Sequence, residues 1–125
     1  MTEKTILVIE DDELNLKLVR EILRVGGYKS LEAEDAETGI QMARAHRPDL
    51  ILMDIHLPKM DGLSATRLIR NDDELKEIPV VALTALAMQE DRAKALEAGC
   101  ADHVTKPFQV QALLDSLSRL LKDRN

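Results

Sequence analysis

The sequence predicts a doubly wound α/β fold: one five-stranded parallel sheet, strand order 2-1-3-4-5, with five helices divided between its two faces. Three observations predict it. Apolar runs and helical stretches alternate five times along 125 residues, and a repeating βα order implies parallel strands joined by right-handed crossovers. The runs Ile6–Ile9, Leu50–Met53 and Val80–Leu83 are unbroken, as strands covered on both faces are. The other two strand segments, Lys29–Ala33 and Ala101–Thr105, mix polar with apolar residues and read as edges. Edges at positions two and five give the stated order, the flavodoxin-like form of the doubly wound sheet.

The elements follow in turn. After the first strand a helix spans about residues 13–25; Asp12 is placed to cap it and Gly26-Gly27 to stop it. The second helix covers about 36–46, ahead of a loop holding His46, and Pro48 precedes the third strand. A third helix covers about 62–71, with Asp61 as its cap and Gly62 easing the turn. Pro79 introduces the fourth strand, and the fourth helix, about 88–98, stops at Gly99. The last helix, about 109–122, carries the clearest stripe: Val110, Leu113, Leu114, Leu117, Leu120 and Leu121.

Composition narrows the function. Tyr28 and Phe108 are the only aromatics, read as packing, and the net charge is −6, a poor match to base stacking or phosphate backbones. No nucleic-acid partner is expected. The single cysteine, Cys100, excludes an internal disulfide framework and reads as a small packed residue. No apolar run approaches the ~20 residues of a membrane span, and no signal peptide is visible. A cytoplasmic, single-domain protein spanning residues 1–125 is the expectation, monomeric or weakly dimeric.

The chemistry gathers at the strand ends. In LILMDIHLPKMDG, residues 50–62, an apolar strand runs directly into Asp54. A carboxylate so placed needs solvent, a cation or a chemical task, because burial alone costs several kcal/mol or neutralises it. Strand one ends in Glu10-Asp11-Asp12-Glu13, strand four at Thr84 and strand five at Lys106-Pro107. The strand order places the ends of strands one and three side by side. Carboxylates gathered there suit Mg²⁺, a hard ion that takes few protein ligands. Mg²⁺, an ammonium and a hydroxyl form a set for phosphoryl oxygens, and an in-line carboxylate, Asp54, can act as nucleophile and become an acyl phosphate.

These residues resemble the bacterial response-regulator receiver domain, and the pattern covers essentially the whole chain: Glu10-Asp11, LILMDIHLPKMDG, VVALTA through Thr84 and HVTKPF around Lys106. It is similar in particular to the single-domain alphaproteobacterial cell-division regulators. The resemblance implies Asp54 as phosphoacceptor, with Mg²⁺ held by Asp11, Asp54, the backbone carbonyl of His56 and, through water, Glu10. It implies Thr84 and Lys106 as phosphoryl-binding residues and a cis bond before Pro107. His56 is expected to tune water access. His103 stands where the family usually carries an aromatic switch residue, and is expected to rotate inward in its place.

The implied function is a phosphorylation-dependent switch fed by a histidine kinase. The alternative is a relay that passes the phosphoryl group to a histidine phosphotransfer protein. Neither needs more catalysis than the domain's own phosphorylation and dephosphorylation. Rival readings fail on residues: a haloacid-dehalogenase-like phosphatase needs a second acid where His56 stands, and a flavodoxin phosphate loop is replaced by acids. No GxxxxGK[ST] occurs.

Overall fold

The computed structural model describes residues 4–84, 89–106 and 109–122. Its elements are β1 (Thr5–Ile9), α1 (Glu13–Val25), β2 (Lys29–Ala33), α2 (Ala36–His46), β3 (Leu50–Asp54), α3 (Gly62–Arg70), β4 (Val80–Thr84), α4 (Gln89–Ala98), β5 (Asp102–Thr105) and α5 (Val110–Lys122). All four strand pairings are parallel, and the order is β2-β1-β3-β4-β5. The expected fold class is the observed one.

Strand periodicity divides the core in two. Leu7, Ile9, Ile51, Met53, Val80 and Ala82 point to the face covered by α2, α3 and α4, where Ile40, Ala65, Ile69 and Ala95 meet them. Their neighbours Ile6, Val8, Leu50, Leu52, Val81 and Leu83 point to the opposite face, against α1 and α5. Every residue of β3 and β4 is buried, which explains why these strands read as unbroken apolar runs. On α5, Leu113, Leu117 and Leu121 are buried at i, i+4 and i+8, each worth about 1.5–3 kcal/mol.

Two expectations need correction. Val110 is the first residue of α5 and is 47 % exposed, outside the buried stripe of Leu113, Leu117 and Leu121. His46 is the last residue of α2, not a loop residue; the helix closes on Arg47, whose φ of 48° is left-handed. As expected, Asp54 and Thr84 are the terminal residues of their strands, so the ladder itself orients them.

The caps are local and side-chain driven. Asp12, Asp35 and Asp61 accept the free N–H groups at the starts of α1, α2 and α3. Gly27 (φ 84°) and Gly99 (φ 105°) take left-handed conformations after α1 and α4. Cys100 is buried, and its thiol lies 3.8 Å from the Thr66 hydroxyl. Tyr28 packs against the α1/α5 core; Phe108 and Pro107 lie outside the described residues. No described helix is long and apolar enough to cross a membrane.

Candidate phosphoryl and metal site

Strand register assembles the site. Ile9 pairs with Met53, so Glu10 and Asp54 are the next residues on adjacent strands. Asp54 pairs with Leu83, and Thr84 with Thr105, which brings Thr84 and Lys106 up on the other side. Carboxylate oxygens of Glu10, Asp11 and Asp54 all lie within 4.8 Å of one another. Glu10 and Asp54 are buried while Asp11 is exposed, so the cluster has an inner wall and an open side. Lys106 Nζ stands 2.7 Å from Glu10 Oε1 and 3.2 Å from Asp54 Oδ2.

The electrostatics follow from that crowding. Burial, then the neighbouring Asp54 carboxylate, push Glu10 from 4.5 up to about 7, against the opposing pull of Lys106 and the Asp12 N–H. Burial alone would lower the Lys106 ammonium, but Glu10 and Asp54 overcome it and hold the lysine above its ordinary value. Three carboxylates facing one ammonium leave an uncompensated negative charge. Two buried oxygens, Glu10 Oε1 and Thr84 Oγ1, have no aligned hydrogen-bond partner among the described residues. The short Lys106–Glu10 contact is therefore not an aligned hydrogen bond, and it becomes a full ion pair as Glu10 ionises near pH 7. Oxygen-only donors, excess negative charge and spare acceptor capacity fit a hard divalent cation such as Mg²⁺.

Asp54 is fixed from its own loop. Its Oδ1 accepts the His56 N–H at 3.0 Å, leaving Oδ2 towards Lys106. The loop is closed by the start of α3, where the Gly62 N–H donates to Ile55 O at 3.1 Å. Gly62 was expected to ease a turn; its role is different. A Cβ there would lie 2.2 Å from Asp54 O and 2.6 Å from Ile55 Cα, so only glycine lets α3 press on the peptide that carries Asp54. Thr66, fully buried, donates its hydroxyl to Gly62 O at 2.8 Å.

Not every expected residue joins the cluster. His103 pairs with Ala82, two steps before the Thr84–Thr105 pair that adjoins the site. Its side chain is a quarter exposed and lines a cavity of about 440 Å³ with Asp102, Thr105, Lys106, Gln109 and Ala112. His56 is exposed, its N–H engaged with Asp54. Sequence reading overlooked Leu14 and Leu18, 78 % and 40 % exposed on α1 just past the acidic cluster. Their i, i+4 spacing was visible, but it was masked by the buried stripe of Leu16, Val19, Ile22 and Leu23 on the same helix.

The family model for the response regulator receiver domain matches residues 6–118. This chain is a response regulator receiver domain. It is 40 % identical over 120 residues to the polar-differentiation response regulator DivK of Brucella anthropi, covering 96 % of this chain and 98 % of that one. The receiver domain of the sensor histidine kinase PA1611 from Pseudomonas aeruginosa, solved with magnesium coordinated in the active-site cleft, superposes with a TM-score of 0.89 at 38 % identity. The match covers 97 % of this chain and 99 % of that one. The receiver domain of Saccharomyces cerevisiae Ssk1, crystallised with the histidine phosphotransfer protein Ypd1, gives a TM-score of 0.90 at 26 % identity, over 98 % of this receiver and 91 % of that chain. Receiver domains are signalling domains of two-component systems, and the Glu10–Asp11–Asp54 cluster of this one fits Mg²⁺ binding and phosphorylation.

Proposed function

We propose that this receiver accepts a phosphoryl group on Asp54 from a phosphohistidine and signals through protein partners. The observation that supports it best is the buried Asp54 carboxylate with a lysine ammonium at 3.2 Å and two further carboxylates alongside. An Asp54 carboxylate oxygen forms the new O–P bond as the N–P bond of the phosphohistidine breaks, and the departing imidazole nitrogen takes up a proton. Asp11, Asp54 and the backbone carbonyl of His56 would hold Mg²⁺, with Glu10 acting through water. Bound there, the ion supplies positive charge to the phosphoryl oxygens. Lys106 holds one phosphoryl oxygen, and Thr84, whose buried hydroxyl has no partner among the described residues, donates to another.

The donor is a histidine kinase, and Leu14 and Leu18 form the apolar edge on which it docks beside the cluster. The Ssk1 receiver with its phosphotransfer protein is the model for such a pairing. His103 is the residue that rotates inward when Thr84 is drawn to the phosphoryl group, altering the face of α4, β5 and α5. The domain, residues 1–125, acts in the cytoplasm, and its only catalysis is its own phosphorylation and dephosphorylation. Intact mass after incubation with acetyl phosphate tests the reading. One phosphoryl adduct that requires both Mg²⁺ and Asp54 is expected; an adduct retained in Asp54→Asn contradicts it. A long-lived adduct marks a regulator, whereas rapid return of the group to a histidine phosphotransfer protein marks a relay.

A further inference from the structure

We infer that Thr66 is a positioning residue for the loop that carries Asp54, an inference resting on the reading of Asp54 as the phosphoacceptor. A hydroxyl is an odd group at this place. Thr66 is wholly buried on α3, which lies on the side of the sheet where Ala65, Ile69, Ala95 and Cys100 belong to the apolar core. Valine has nearly the same shape and would bury there with no polar atom to satisfy. A threonine hydroxyl bonded to the carbonyl four residues back also bends a helix and slightly weakens it. Stability alone favours losing this hydroxyl, so its use lies in what it holds.

What it holds is Gly62. Thr66 Oγ1 donates to Gly62 O at 2.8 Å, and the Cys100 thiol, at 3.8 Å, donates to Oγ1. The thiol takes the acceptor side of the hydroxyl and leaves its one proton for Gly62. Cys100 is itself anchored, its N–H donating to Ala95 O at 3.0 Å and the next N–H, of Ala101, to Val80 O at 2.7 Å. Gly62 is thus held at both ends of its residue, since its N–H donates to Ile55 O at 3.1 Å. Between those two bonds it stands so close to the Asp54–Ile55 peptide that a Cβ would lie 2.2 Å from Asp54 O. A tilt of the first turn of α3 therefore moves that peptide directly. The Asp54 carboxylate moves with it, as does the His56 N–H that Oδ1 accepts at 3.0 Å. The competing reading is that Thr66 only fills space in the core.

Thr66→Val and Thr66→Ser separate the two. Valine keeps the shape and loses the hydroxyl; serine keeps the hydroxyl and loses a buried methyl group. Three measurements on the full chain decide it: the urea midpoint, the amide signals of Ile55, His56 and Gly62 in ¹⁵N-labelled protein, and the rate of adduct formation from acetyl phosphate at saturating Mg²⁺. Thr66→Val should move the three signals and slow adduct formation by about fivefold, as for one lost hydrogen bond. Thr66→Ser should unfold at the lower urea concentration of the two, because a methyl-sized void is left in the core. It should nevertheless leave the signals in place and react within about twofold of the wild type, since the donor survives. A space-filling role predicts the reverse order, with the serine variant the more impaired. Unmoved signals in Thr66→Val, or rates that follow the urea midpoints across the two variants, overturn the inference. If the wild-type chain takes no phosphoryl group, the functional reading falls, and the amide signals still decide whether Thr66 sets the loop.

Discussion

Replacing Gly62 by alanine is the perturbation whose sign the structure decides most sharply. Gly62 opens α3, and in an ordinary exposed helix a Gly→Ala change gains about 1 kcal/mol. Here the added methyl would meet backbone, with Asp54 O at 2.2 Å, Ile55 Cα at 2.6 Å and Asp54 C at 2.9 Å. None of these is the yielding end of a flexible side chain. Overpacking of this kind costs roughly 1–3 kcal/mol, so the gain is cancelled or reversed, for a net loss of about 0–2 kcal/mol. The alternative to paying that cost is for α3 to retreat, which breaks the Gly62–Ile55 hydrogen bond and loosens the loop holding Asp54. Urea unfolding reads the first effect as a lower midpoint at unchanged slope. Amide exchange at Ile55 and His56 reads the second. A Gly62→Ala chain stabilised by about 1 kcal/mol, with exchange unaltered, would refute the close-approach argument.

Other predictions follow from the same contacts. In metal-free protein, folded Glu10 keeps its proton to about pH 7 while the unfolded chain releases it near 4.5. Stability should therefore fall as pH rises from about 5 to 7, by roughly 3 kcal/mol at most, and level off above; Mg²⁺ or Glu10→Gln should flatten that slope in urea titrations. Lys59, at φ 68°, is the centre of a γ-turn closed by the Met60 N–H on Pro58 O at 2.8 Å. Lys59→Gly should stabilise by about 0.5 kcal/mol and Lys59→Val should destabilise, measured by thermal unfolding, because only glycine enters that region without strain. Asp102 is partly buried, which raises it, yet the Ser116 hydroxyl, the His103 N–H and Arg119 together hold it below its ordinary value. Ser116→Ala should cost about 1–2 kcal/mol near pH 7, and the loss should shrink as acid protonates Asp102, whose contribution exists only while it is ionised.

Much of the fold is legible because the strongest signals were redundant. Ile51–Met53 and Val80–Leu83 are buried on both sides, so no alternation obscured them, and Asp12 and Asp61 mark helix starts with their own side chains. The cluster was legible for a topological reason: parallel strands collect their carboxyl ends at one edge, so Glu10, Asp54, Thr84 and Lys106 had to meet. What sequence could not supply was reach and direction. Nothing in the residue order says that Glu10 lies nearer Lys106 than Asp54 does, since that depends on one methylene and on the Asp12 N–H. Gly62 was misassigned because a turn glycine and a close-approach glycine look alike until the opposing backbone is in view. Val110 fits the helical period, but period does not say where along a helix the packing begins. Asp35, an N-cap of the same kind as Asp12, passed unnoticed in an acidic stretch.

Reductive trapping at Asp54 tests the central claim most directly. After incubation with acetyl phosphate and Mg²⁺, borohydride converts an aspartyl phosphate to homoserine, and peptide mapping locates it. Homoserine is expected at position 54 alone, and absent without Mg²⁺. Homoserine at Asp11, Asp12 or another acid, or none anywhere in protein quenched within milliseconds, would contradict it.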